Sequence, residues 1–222
     1  MITVHHLNNS RSQRVLWLLE ELGLDYEVRR YERDPATMLA PPALKAVHPL
    51  GKSPVVEIDG QVLAETGAII DYLVERQGGG LAPAAGTPAH QNYRYWLHYA
   101  EGSAMPLLLL KLVFERLRGR AVPLPLRPFA RMLAAGVEKS FIAPQLRTHL
   151  DHMEQALHRQ DWFAGGEFSA ADIQMSYPLE AAAARAGLDP SRPRLMDFLS
   201  RIHARPAYAR ALARGGAYDL AA

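Results

Sequence analysis

Between residues 9 and 14 the chain reads Asn9-Ser10-Arg11-Ser12-Gln13-Arg14, at the point where the apolar run ITVHHL gives way to the amphipathic stretch SRSQRVLWLLEELGL. Hydroxyls, an amide and guanidiniums at a strand-to-helix junction suit two chemistries. Ser10 can merely cap the helix, with Gln13 closing a capping box. Alternatively the patch can hold an anion, because a helix N-terminus gathers free N–H groups and the positive end of the dipole. Glu65-Thr66 stands before a second amphipathic stretch and offers the same choice between a plain N-cap and a carboxylate site. The chain has no cysteine. Disulfides, thiolate metal sites and a protein thiol nucleophile are therefore excluded, and any sulfur chemistry must use a thiol brought by a ligand. The 9 histidines show no HExxH spacing, so no metal is expected.

The elements that must position these groups follow from periodicity. ITVHHL predicts a buried strand, Val15, Leu16, Leu18, Leu19 and Leu22 mark a helix, and DYEVRRYE alternates as a second strand. Roughly thirty residues from strand to strand is long enough for a right-handed parallel crossover. After a Pro-broken segment, SPVVEIDGQVLAETG predicts a hairpin turning at Asp59-Gly60, and TGAIIDYLVERQ a helix. The fold class expected is α+β: a βαβ-ββα domain over residues 1–78, a Gly/Pro/Ala-rich linker over 79–88, and an all-α domain over 89–222 with a kink at Pro106. Ser169-Ala170-Ala171-Asp172 reads as a structural capping box. In the aromatic cluster on the first helix of the second domain, Trp96 and Tyr99 are expected to face the core, with Tyr95 and Glu101 facing a cleft or a partner chain.

Composition narrows the function classes. With 222 residues, 49% of them hydrophobic, the chain can bury a sizeable core. Its 25 basic and 23 acidic residues are spread along the whole length, which predicts no nucleic acid partner and no membrane partner. The longest apolar run, AMPLLLLKLVF, is short and broken by a lysine, and the first residues lack a signal-peptide pattern. A soluble cytoplasmic protein is the expectation.

HPLGKSPVVEIDGQVLAETGAIIDYL, followed by a helical region containing FSAADIQMS, closely resembles the cytosolic glutathione S-transferases over essentially the whole chain. The opening NNSRSQRVLWLLEELGLDYEV looks most like a bacterial and fungal, theta-related branch. The resemblance implies a thioredoxin-like domain that binds glutathione, an all-α domain that holds a second, small apolar electrophile, and a homodimer. It implies glutathione as co-substrate and no other cofactor.

The resemblance also implies roles. In Lys52-Ser53-Pro54, the proline would be cis and the preceding residue would offer its backbone to the cysteinyl part of glutathione. Ser53 stands where the family more often has valine. A proline opening an edge strand is the plainer alternative. Thr66 would take the γ-glutamyl carboxylate and Glu65 would approach the ligand ammonium. Lys52 and His48 would meet the glycyl carboxylate, or else are solvated loop residues. Glu101 would reach the ligand of the partner subunit. Ser10 would hydrogen-bond the glutathione sulfur, with Asn9 and Ser12 as alternative donors and Arg11 adding positive field. The expected reaction is thiolate attack on an electrophile, with peroxide or disulfide reduction open to the same thiolate. The competing expectation is a non-catalytic binding or scaffolding protein on the same fold.

Overall fold

The structure is a computed structural model and describes residues 1–35, 37–119 and 122–220. Its sheet has the order β2-β1-β3-β4, built from β1 (Ile2–Leu7), β2 (Tyr26–Tyr31), β3 (Val55–Ile58) and β4 (Gln61–Ala64). β1 lies parallel to β2, Ile2 opposite Tyr26 through Leu7 opposite Tyr31, and antiparallel to β3. The hairpin turns at Asp59-Gly60 as expected. Every residue of β1 is buried, which explains why its sequence runs apolar without alternation.

Helix α1 (Ser12–Leu22) makes the parallel crossover and ends at Gly23, whose φ of 64° suits glycine. From Ser12 to Leu19 it is buried all round, because it packs against the sheet, α3 (Thr66–Arg76), α8 (Ala170–Arg185) and α10 (Pro206–Gly215). Trp17 is fully buried, edge-on to Tyr208 at 5.2 Å, with its indole N–H donated to Glu21 at 2.8 Å. Truncating it to alanine would cost about 3–5 kcal/mol. The Pro-broken segment contains a short helix, α2 (Pro42–Val47), absent from the sequence reading. Its prolines stand at the start, where a missing N–H costs nothing.

From Pro88 the chain is helical. α4 (Pro88–Tyr99) and α5 (Met105–Leu117) form one rod joined by a π-turn at Ala100–Ala104, directly before Pro106, where the kink was expected. Arg120, Ala121, Ala221 and Ala222 of the all-α domain expected over 89–222 lie outside the described residues. α6 (Arg127–Val137) and α7 (Ala143–Arg159) return along this rod, again through a π-turn. The stretch 193–214 forms two helices, α9 (Pro193–His203) and α10, divided before Pro206. Trp96 and Tyr99 are buried and Tyr95 is exposed, as the spacing implied, and Tyr93 is buried as well. The capping box at α8 is formed: the Asp172 carboxylate accepts from the Ser169 N–H at 2.9 Å and also from the Phe163 N–H at 2.8 Å. Among the described residues no helix is long and apolar enough to cross a membrane.

Candidate functional site

A cleft of about 700 Å³ opens between the sheet's connecting loops and the α4–α5 rod. Asn9, Ser10, Arg11, His48, Lys52, Ser53, Pro54, Glu65, Thr66 and Glu101 all line it. Of the residues given a catalytic or glutathione-binding role in the sequence, Ser12 alone does not line the cleft; it is fully buried behind Ser10.

The capping box that Ser10–Gln13 offered as the structural alternative is not formed. α1 begins at Ser12, no side chain caps it, and the Gln13 amide finds no partner. Ser10 Oγ instead accepts from the Ser12 N–H at 3.3 Å and meets Ser12 Oγ at 2.7 Å. Asn9, at φ 48°, holds the C-terminal tail by accepting the Asp219 N–H at 2.8 Å.

The Ser53–Pro54 bond is cis. Ser53 does more than the backbone role assigned to it: its hydroxyl donates to the His5 carbonyl at 2.9 Å and accepts from the Leu7 N–H at 3.2 Å. It thereby ties the cis-proline loop to the end of β1, beside Ser10. At α3 the N-cap position falls on Glu65, at φ 69°, and not on Thr66. No side chain caps the helix, which leaves its first N–H groups without a side-chain acceptor, and Glu65 and the buried Thr66 at this end line the cleft.

Arg14, 1% exposed, binds these parts together. It donates to the Gln174 carbonyl of α8 at 2.8 Å, to Thr66 Oγ1 at 3.3 Å and to Glu101. Arg11 meets the other Glu101 oxygen at 3.1 Å. Burial raises the Glu101 carboxyl, but the two guanidiniums outweigh it and hold the group below its ordinary value. Glu101, the residue given a role toward the ligand of a partner subunit, lines the cleft of its own chain, where it pairs with Arg11 and Arg14.

Sequence reasoning missed three further contributions. Lys45, from the unforeseen α2, lines the cleft and packs its stem against Gly51, which sits at φ 56°. Arg33 donates to the Asn8 and Met38 carbonyls at 3.2 and 3.1 Å and braces the loop after β2. Arg14 carried no local signal, since its partners lie 52 to 160 residues away. Around the cleft, Arg11, Arg33, Lys45, Lys52, Arg116 and Arg185 outnumber Glu65, Glu101 and Asp219, which favours an anionic ligand. The opposite wall is apolar: Met105, Leu108, Leu109 and Leu112 from α5, with Leu220 from the tail. Among the described residues no group of His, Asp and Glu is placed to hold a metal.

A larger, shallower groove of about 1090 Å³ runs along α4 past His90, Arg94, Tyr95 and His98. It contains none of the loop residues that could do chemistry.

Comparisons with known proteins agree with this geometry. The family models for the glutathione S-transferase N-terminal and C-terminal domains match residues 10–76 and 113–214. The chain is 37% identical to glutathione S-transferase 3 of Schizosaccharomyces pombe, over 82% of this chain and 74% of that one. It is 32% identical to glutathione S-transferase 1 of Saccharomyces cerevisiae, over 94% and 93% respectively. The crystal structure of a glutathione S-transferase from Actinobacillus pleuropneumoniae superposes with a TM-score of 0.82 at 35% identity, covering 99% of this chain and 95% of that one. The thioredoxin-like sheet, the helical domain and both family matches lead to one statement: this chain belongs to the glutathione S-transferase family.

Proposed function

We propose that this protein binds glutathione in the cleft and delivers its thiolate to a small apolar electrophile. The observation that carries this reading is that one cleft joins three parts: the uncapped N-terminus of α3 with Thr66, the cis Ser53–Pro54 loop, and Ser10 facing an apolar wall. Residues 1–78 hold the tripeptide, 79–88 link, and 89–222 supply the second pocket. Thr66 and the α3 N–H groups take the γ-glutamyl carboxylate, with Glu65 and Glu101 near the ammonium and Lys52 and His48 near the glycyl carboxylate. The Ser53 backbone pairs with the cysteinyl residue. Ser10 meets the sulfur, and Arg11 adds positive field that favours the thiolate. No further cofactor is required.

The protein acts as a homodimer, supported by the open groove along α4 and the exposed Leu109, Val113, Phe129 and Met132 on the neighbouring helices. A monomeric mass at micromolar concentration contradicts the dimer. Retention on immobilised glutathione, elution by free glutathione and turnover of an aromatic halide test the function. Retention without turnover across a broad electrophile panel favours a scaffolding role instead.

A further inference from the structure

Helices α5 and α8 both lead away from the contact between Arg14 and Glu101, and each carries an arginine in its last turn. α5 sets out shortly after Glu101, and α8 passes Arg14 at the Gln174 carbonyl. Along α5 the cleft is lined by Met105, Leu108, Leu109 and Leu112, and then, one turn on, by Arg116. Along α8 it is lined by Tyr177 and then by Arg185. The apolar wall therefore gives way to positive charge on both helices.

These cations have no acid of their own. Arg11 and Arg14 share Glu101, but among the described residues no carboxylate lies within ion-pair distance of Arg116, Arg185 or Arg33. The Nε of Arg185 is buried without a hydrogen-bond partner. Arg33 donates only to carbonyls, which leaves its charge uncompensated. Glutathione, held as proposed above, does not use them either. Its γ-glutamyl carboxylate has Thr66 and the start of α3, and its glycyl carboxylate has Lys52, with Lys45 packed on the adjoining Gly51. A last-turn arginine also suits the negative end of its own helix, but that accounts neither for both arginines lining one cleft nor for the missing acid. What a guanidinium fork fits best is a planar carboxylate, through two parallel N–H···O bonds.

We propose that the electrophile carries a carboxylate beside its apolar body: the body lies on Leu108, Leu109 and Leu112, and Arg116 and Arg185 hold the carboxylate. This rests on the reading that the thiolate of glutathione attacks a second substrate in this cleft. With an aryl chloride the sulfur forms the C–S bond, and chloride leaves with the electron pair of the C–Cl bond. The carboxylate takes no part in that exchange and serves only to select and orient the substrate.

The test compares two aryl chlorides of one shape in the full-length protein, 4-chloro-3,5-dinitrobenzoate and its carboxamide, with each kcat/KM divided by the rate constant of the uncatalysed reaction. The carboxylate should be favoured by about tenfold, the worth of a hydrogen bond between charged groups, and the preference should shrink in about 1 M salt. Arg116→Met and Arg185→Met should each lower the preference about three- to tenfold, and the corresponding Arg→Lys variants should keep part of it. The ratio of the two substrates is the readout, because a change in glutathione binding or in the folded fraction affects both alike. Arg116 is exposed, so its variant decides if the Arg185 variant does not fold. Conjugation of both compounds with less than about a twofold preference, or a preference that both Met variants leave intact, overturns this inference while the glutathione reading stands. A raised KM for glutathione in both Met variants with the ratio unchanged assigns the two arginines to the tripeptide and overturns it as well. If neither compound is conjugated, the reading of thiolate attack fails and this inference falls with it.

Discussion

Replacing Arg14 with Met keeps the side-chain bulk and removes the charge that ties α1 to α3, α8 and Glu101. The Gln174 carbonyl loses a donor at 2.8 Å, Thr66 Oγ1 loses one at 3.3 Å, and Glu101 keeps only Arg11. Breaking a buried pair by removing one partner costs roughly 3–5 kcal/mol. Because the Glu101 side chain is 31% exposed and retains a second arginine, the lower end applies, about 3 kcal/mol. At a urea slope of about 3 kcal/mol/M the unfolding midpoint falls by about 1 M at pH 7. The pH dependence carries a sign. A carboxyl whose pKa is depressed in the folded state contributes stability above its unfolded pKa, about 4.3, and that contribution is lost as pH falls through the folded value. The gap between wild type and variant is therefore widest at neutral pH and narrows below about pH 4. Urea unfolding at pH 7 and pH 3 checks it. A loss under about 1 kcal/mol at pH 7, or an equal gap at both pH values, refutes the reasoning.

Three other perturbations follow from the same contacts. Thr66→Ala should raise the KM for glutathione by about 10- to 100-fold, the loss of one hydrogen bond to a charged group, with kcat nearly unchanged; steady-state kinetics at saturating electrophile decide. Asp172→Ala leaves the Ser169 and Phe163 N–H groups buried without acceptors, and should cost about 3 kcal/mol in chemical denaturation while the folded fraction keeps its affinity for glutathione. Tyr218→Phe removes the 2.7 Å bond from the tail to Glu180, and should weaken binding of the electrophile by about three- to tenfold with the glutathione KM unchanged.

Where a signal was local, the sequence disclosed it. The Asp59-Gly60 turn and the Ser169–Asp172 box each lie within a few residues of their partners, and the six-residue run from Ile2 to Leu7 carries its strand signal in its own apolar continuity; each formed where the residues pointed. Prolines misled the reading at α2, because Pro41-Pro42 was taken as a break when it stands at a helix start. The capping box at Ser10 failed for a different reason. His6 lies close enough to draw Ser12 and, through it, Ser10 into a competing set of hydrogen bonds. What stayed hidden depends on contacts across the fold: Arg14 with Glu101, 87 residues apart, and Asn9 with Asp219, 210 apart. No spacing rule reaches that far. The two-wall cleft was visible only as two separate lists of residues until the α4–α5 rod brought Glu101 over the start of α1.

A crystal structure with glutathione bound tests the central claim most directly, because it locates the sulfur and both carboxylates at once. The account predicts the γ-glutamyl carboxylate on Thr66 and the first N–H groups of α3, the cysteinyl backbone paired with Ser53, and the sulfur within hydrogen-bond distance of Ser10 Oγ. A tripeptide seated in the groove along α4, or one held at Thr66 with its sulfur against Asn9 and away from Ser10, contradicts it.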